Sequence, residues 1–180
     1  MNCWKSINVT KQYGLHRLYF ISFLTGLLSF IILYVPVSIM HGTHAVKEIG
    51  MIGFIAAILL LPIVHACMHI LPLILVKKRI NLKKYRARSL LLPSLAYTQQ
   101  FLSKRMSIAI ALAPTLFITF PGMLASYLFV DYDVYILLFT SAHIGFSFID
   151  FLFVAHISKA PKKSFVENGP HDFDILTEME

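Results

Sequence analysis

The sequence predicts an all-α membrane protein with four transmembrane helices. The first observation is composition: 57% of the 180 residues are hydrophobic and the mean hydropathy is +0.71, whereas soluble domains are roughly 45–50% apolar. The second is that these residues form four long stretches with almost no charge. The third is that basic residues lie almost entirely outside those stretches. A water-soluble fold could not bury this much apolar surface.

The four apolar stretches cover residues 18–40, 49–76, 106–130 and 134–157. Each is long enough to span a bilayer, because about 20 residues at 1.5 Å per residue cover a hydrocarbon core of about 30 Å. Hydrocarbon offers the backbone no hydrogen-bond partners, so a spanning segment must be a helix or a barrel strand. The stretches are continuously apolar rather than alternating, which favours helices.

The distribution of basic residues predicts the orientation of the spans. Short cytosolic loops are rich in Lys and Arg. The N-terminal segment 1–17, the loop 77–105 and the acidic tail 158–180 together contain every Lys and Arg except Lys47. We therefore expect both ends in the cytosol, with the lipid bilayer as the partner and no nucleic acid. Within the loop, residues 89–97 are apolar but too short to cross, so we expect an extended or interfacial segment there.

A few titratable residues lie at bilayer depth and are candidates for function. An Asp at the centre of a membrane helix costs at least ~2.5–3.5 kcal/mol, so it requires a partner. His65 and His69 are four residues apart on one face of span two, and His143 and Asp150 share a face of span four. Counting from the cytosolic ends places His69 and Asp150 each at about 10 Å depth. Two imidazoles and one carboxylate are a ligand set suited to Zn²⁺.

Two other interpretations of these residues stay open at this point. Asp150 and His69 could form a hydrogen-bonded pair that only holds spans two and four together. The same groups could also carry protons through a small transporter, although the sequence has no internal repeat and no pair of broken helices.

Several segments together resemble the bacterial membrane family called putative zincin peptidases, a domain of unknown function related to site-2 intramembrane metalloproteases. The similar segments are MNCWKSIN at 1–8, HACMHILP at 65–72, HIG at 143–145, APK at 160–162 and FDIL at 173–176. Tyr13, Gly14, Arg17, Leu18 and Asp150 also fit the resemblance. The resemblance implies a multi-pass protein of the bacterial cell membrane that could bind a membrane peptide or protein.

The resemblance also assigns roles to individual residues. Active members carry His-Glu-x-x-His in span two, where the two His bind zinc, the Glu is the general base, and a later Asp is the third ligand. Carried over, His65, His69 and Asp150 are the ligands, but Ala66 stands at the Glu position. General acid–base catalysis contributes about 10²–10⁴-fold, so we expect a catalytically impaired protein. His143 replaces an Asn common in the family, as a further ligand or a donor to Asp150.

Overall fold

The computed structural model describes residues 2–42, 46–76, 101–168 and 173–177. Short helix α1 (Val9–Tyr13) precedes α2 (Leu15–His41) and α3 (Gly50–Leu75), which are followed by α4 (Lys104–Pro114), α5 (Phe120–Leu128), α6 (Asp133–Phe146) and α7 (Phe148–Ser158). The strands are β1 (Asn2–Ile7), β2 (Leu102–Ser103), β3 (Ser164–Asn168) and β4 (Phe173–Thr177). The predominantly helical class predicted from the sequence is confirmed.

The helices are long and apolar enough to cross a membrane three times, or four times if α6 and α7 count as one bent span. Large apolar side chains on α2, α3 and α5 are exposed, among them Phe23, Ile52 and Leu124. Because such continuous apolar surface is unfavourable in water, it is typical of helices that face lipid. The predicted extended segment 89–97 lies outside the described residues; Leu102–Ser103, near the end of the same loop, form β2.

The third span is not a uniform α-helix. Between α4 and α5, residues Thr115–Thr119 form a π-helical turn, and the Phe120 N–H bonds the Thr115 carbonyl five residues back. Pro121 lies just beyond this turn and has no backbone N–H to offer residue 117, so the regular α-helical ladder is interrupted here. The wider turn places Ile118 and Thr119 in the protein interior.

The fourth span also differs from the single helix predicted over 134–157. Helices α6 and α7 meet at an angle of 44°, and the junction residue Ser147 donates its N–H to the His143 carbonyl at 2.8 Å. Sequence periodicity placed His143 and Asp150 on one face of one straight helix. In the structure the break puts Asp150 in the first turn of a new helix.

A four-stranded antiparallel sheet, which the sequence analysis did not predict, lies at one end of the bundle. The strand order is β1-β4-β3-β2, so the two terminal segments of the described chain are hydrogen-bonded neighbours. In the β1–β4 register Ile7 faces Phe173 and Cys3 faces Leu176. These are the opening and closing segments on which the family resemblance rested, and pairing in one sheet gives them a shared structural role.

The sheet packs directly on the helices. Ile7, Val166 and Ile175 from the sheet form one buried cluster with Phe153 and Ile157 of α7. The Phe153 and Phe173 rings are edge to face at 4.6 Å between centroids. Lys104, the first residue of α4, donates its ammonium to the carbonyls of Ser158 and Ala160 at 2.8 and 2.5 Å. A cation at the end of α7 is favourable there because the helix carboxyl end is partially negative.

Helices α2 and α6 are held together at two places. Gly26 and Gly145 face each other where the helices approach closely, and a Cβ on Gly145 would lie 2.6 Å from the Ser22 carbonyl oxygen. At the end away from the sheet, His41 Nδ1 lies 3.0 Å from Asp133 Oδ2. Both are buried at helix ends that the sequence analysis had assigned to connections. This packing fixes the position of α6 relative to α2 at both places.

Candidate metal centre

His65, His69 and Asp150 lie together in the interior of the helical bundle. Their ligand atoms are all within 4.8 Å of one another. His65 Nε2 is 3.1 Å from His69 Nε2 and 3.2 Å from Asp150 Oδ2, and His69 Nε2 is 3.5 Å from Asp150 Oδ1. All three residues are buried, at 2%, 0% and 6% exposure. The structure therefore brings together the three residues that sequence depth and resemblance selected; their role as ligands stays a prediction.

Two structural features position these groups. His65 and His69 are one helical turn apart on α3, so both imidazoles point to the same side of that helix. Asp150 is the third residue of α7, and the partially positive amino end of a helix favours a carboxylate at that position. The break at Ser147 thus supplies a helix start inside the bundle, where a buried carboxylate would otherwise be costly.

A backbone carbonyl fixes the protonation of one imidazole. His69 Nδ1 is 2.9 Å from the Ile110 carbonyl oxygen of α4. A carbonyl can only accept, so Nδ1 carries the hydrogen, and in a neutral ring Nε2 then has a free lone pair. This lone pair points toward the His65 and Asp150 ligand atoms. Histidines that bind metals commonly donate the other ring N–H to a carbonyl or carboxylate in this way.

The donor set fits a four-coordinate zinc ion. Ligand atoms about 2.0–2.2 Å from one tetrahedral centre are about 3.3–3.6 Å apart. His65 Nε2 is 3.1 Å from His69 Nε2 and 3.2 Å from Asp150 Oδ2, which is close to this spacing, and the 3.5 Å contact of His69 Nε2 is to the other carboxylate oxygen, Oδ1. Asp150 Oδ2 is buried and accepts no hydrogen bond from the described residues, although it faces His65 Nε2. A buried carboxylate oxygen in that state is unfavourable unless a cation balances it. These observations are compatible with metal binding.

His143 lies on the other side of His65. Its Nε2 is 3.2 Å from His65 Nδ1, its Nδ1 is 2.8 Å from Thr119 Oγ1, and Ser147 Oγ is 3.5 Å from the same Nε2. His65 thus contacts His143 through Nδ1 and Asp150 through Nε2. The hydrogen bond expected from His143 to Asp150 is absent from the described contacts, and His143 bonds His65 instead.

Sequence reasoning missed two contributors to this site. The Ile110 carbonyl has no sequence signature, because any residue supplies the same backbone oxygen. Thr119 reaches His143 because the π-helical turn places it in the interior. A signal for that turn exists in the sequence, since Pro114 and Pro121 bracket Thr115–Thr119 and proline inside a helix perturbs the regular ladder.

The fold and the site together define a class: a helical protein with helices long and apolar enough to cross a membrane and a buried His/His/Asp group compatible with metal binding. The family described as "Putative zincin peptidase" matches residues 58–165, more than half of the 180-residue chain. The chain belongs to this family, and the resemblance noted from the sequence is confirmed. The matched region includes His65, His69, His143 and Asp150. Comparisons with curated proteins and with solved structures give no match.

Proposed function

We propose that this protein binds zinc through His65, His69 and Asp150 in a bacterial cell membrane and has lost most of its peptidase activity. The observation that carries the proposal is the convergence of two imidazole Nε2 atoms and a buried carboxylate within 4.8 Å. The Nδ1–H of His69 is already held by the Ile110 carbonyl. The family supports zinc as the metal, since zincins are named for it.

The expected loss of activity follows from Ala66. A bound zinc ion supplies Lewis-acid polarisation of a carbonyl and lowers the pKa of water. Hydrolysis also needs a base that takes a proton from the attacking water, and the family motif has Glu at this position. Ala66 is half-buried on α3, directly after His65, and has no proton acceptor. Asp150 cannot serve as ligand and base at once.

The setting of the site supports a role inside the membrane. The basic residues predict that both termini are cytosolic, so the sheet end of the bundle faces the cytosol. The site then lies below the cytosolic surface, reached from the bilayer or from that side. A membrane peptide or membrane protein is the partner we propose, bound without efficient cleavage.

The proposal is tested by metal analysis of the detergent-purified full chain. We expect about one zinc per chain in the wild type and a loss in His69→Ala and in Asp150→Asn, which keeps the side-chain shape but removes the charge. His16→Ala is the matched control, because His16 is exposed on α2 outside the site, and it should keep its zinc. A folded wild type that takes up no zinc from a buffered solution would contradict the proposal.

One observation favours a second candidate, a structural membrane protein without metal. His65 lies 3.2 Å from His143 Nε2 of α6 and 3.2 Å from Asp150 Oδ2 of α7, so the polar groups can also pair with one another and hold α3 against α6 and α7. In that case Asp150→Leu destabilises the fold, and no variant changes metal content.

A further inference from the structure

We propose that Thr119 and His143 form a positioning chain for His65, and that its hydrogen bonds run in opposite directions in the metal-free and metal-loaded protein. The chain rests on contacts of 2.8 Å between Thr119 Oγ1 and His143 Nδ1, and 3.2 Å between His143 Nε2 and His65 Nδ1. All three side chains are buried, at 5%, 0% and 2% exposure. The inference deepens the proposed metal binding and rests on it.

The direction of the hydrogen bonds in the metal-free protein follows from the contact of His69 with the Ile110 carbonyl. Because His69 donates through Nδ1, its neutral ring must accept at Nε2, and His65 Nε2 therefore donates to it. His65 Nδ1 is then the acceptor and takes a hydrogen from His143 Nε2. His143 Nδ1 in turn accepts from the Thr119 hydroxyl. Every hydrogen bond runs from Thr119 toward Ile110, with each neutral ring holding one hydrogen.

The direction must reverse when His65 Nε2 serves as a metal ligand. A ligating nitrogen presents its lone pair, so the neutral His65 ring carries its hydrogen on Nδ1 and donates it to His143 Nε2. His143 then carries its hydrogen on Nδ1 and donates to Thr119 Oγ1. Each histidine keeps one hydrogen and changes only which nitrogen carries it, so the two rings neither gain nor lose a proton.

The hydroxyl of Thr119, the residue at the end of the positioning chain, suits this reversal of the hydrogen bonds. A hydroxyl donates in one direction and accepts in the other by rotating about one bond, whereas a carbonyl or an ammonium could satisfy only one of the two states. The π-helical turn brings this hydroxyl to His143, and π-helical turns are frequent at functional sites. Ser147 Oγ, at 3.5 Å from His143 Nε2, is at the limit of hydrogen bonding and is a weaker alternative partner.

Two matched pairs of variants test the positioning role of Thr119 and His143. The measurement is a Co²⁺ titration of the purified full-length protein. His143→Leu and Thr119→Val remove the hydrogen-bonding groups, and losing such an outer partner weakens metal affinity about 10–100-fold. His143→Gln offers an amide that can accept or donate at the same place, and Thr119→Ser keeps the hydroxyl, so both should bind Co²⁺ close to wild type. Unchanged affinity in His143→Leu and Thr119→Val would overturn the proposal.

The visible absorption of the bound Co²⁺ separates positioning from ligation. Removing a ligand changes the coordination and the absorption bands, whereas removing a positioning residue changes only the affinity. We therefore expect unchanged band positions in His143→Gln and Thr119→Val. Altered bands in His143→Gln would make His143 a ligand and refute its positioning role. A wild type that binds no Co²⁺ would instead contradict the proposed function itself.

Nitrogen-15 NMR of the histidine rings in the wild type tests the direction without any substitution. We expect Nε2–H on His65 and His143 in the metal-free protein, and Nδ1–H on both after Zn²⁺ is added. The same tautomer in both samples would refute the reversal, even if the metal binds. An Nδ1–H on His65 in the metal-free sample would refute the hydrogen-bond direction proposed for the metal-free protein.

Discussion

His69 Nδ1 donates to the Ile110 carbonyl at 2.9 Å, which ties an imidazole of α3 to the backbone of α4. The contact does two things. It satisfies a buried polar group that would cost about 1–3 kcal/mol unpaired, and it leaves Nε2 of the same ring directed at His65 and Asp150. The candidate metal site therefore depends on the packing of α3, α4 and α7 and not on α3 alone.

Restoring the missing carboxylate should increase activity. We expect Ala66→Glu to hydrolyse casein in detergent about 10²–10⁴-fold faster than the wild type, which is the usual contribution of a general base. Activity should disappear in the presence of a zinc chelator. Ala66→Gln is the control, since it has a similar shape without a base and should stay as slow as the wild type. A wild type as fast as Ala66→Glu would show that Ala66 does not impair catalysis.

Because α2 and α6 approach closely at Gly145, we expect one added methyl group there to destabilise the protein. In Gly145→Ala the new Cβ would lie 2.6 Å from the Ser22 carbonyl oxygen and 3.0 Å from the Gly26 Cα. Both are backbone atoms that cannot move aside, so we expect a loss of about 1–3 kcal/mol, measured as a lower unfolding temperature in detergent. Gly53→Ala has nothing within 4 Å of its Cβ, and it should unfold at or above the wild-type temperature. Equal effects of both substitutions would contradict the packing described.

Anchoring of the sheet on α7 can be measured at Phe173. Its ring is 5% exposed and packs on Phe153, so Phe173→Ala should destabilise the protein by about 3–5 kcal/mol. Phe129→Ala, at a residue 58% exposed at the other end of the bundle, should have little effect on unfolding in detergent. If the packing of the sheet on α7 did not contribute to stability, the two variants would unfold at the same temperature.

Cysteine labelling in intact cells tests the orientation. After Cys3 and Cys67 are replaced by Ser, single cysteines at Glu48 and Lys162 place one thiol on each predicted side; both native residues are exposed. We expect an impermeant maleimide to label the Glu48→Cys variant only, and Lys162→Cys to react after the membrane is opened. The opposite pattern would reverse the orientation, and labelling of both would refute the number of spans.

The sequence predicted the parts of the fold that depend on local composition. The apolar stretches gave helices whose bounds lie within a few residues of those observed for α2 and α3, and counting inward from their ends placed His69 and Asp150 at one depth. The bend at Ser147 was not predicted because the residues around it are apolar and the periodicity continues through it. The contact of Thr119 with His143 was not predicted because it depends on a π-helical turn between two prolines.

The sheet could not be predicted for a different reason. Asn2–Ile7 pair with Phe173–Thr177, and no local pattern specifies a partner so far away in the chain. Phe173 and Ile175 alternate with less buried residues, which is the period of a strand, but a segment of five residues gives a weak signal. Both segments were expected to be cytosolic ends outside the helical domain. Ile7, Phe173 and Ile175 are part of a buried cluster.

The strand order also constrains how this protein is made. β4 lies between β1 and β3, yet it follows every described helix along the chain. During synthesis, β1 therefore has no partner among the described strands until β4 has been made, and Ile7, which the complete sheet buries, stays exposed until then. Sheets that pair distant segments form slowly and leave strand edges open to aggregation in the meantime. Completion of the sheet is therefore a late step of folding, reached only after all the described helices have been synthesised.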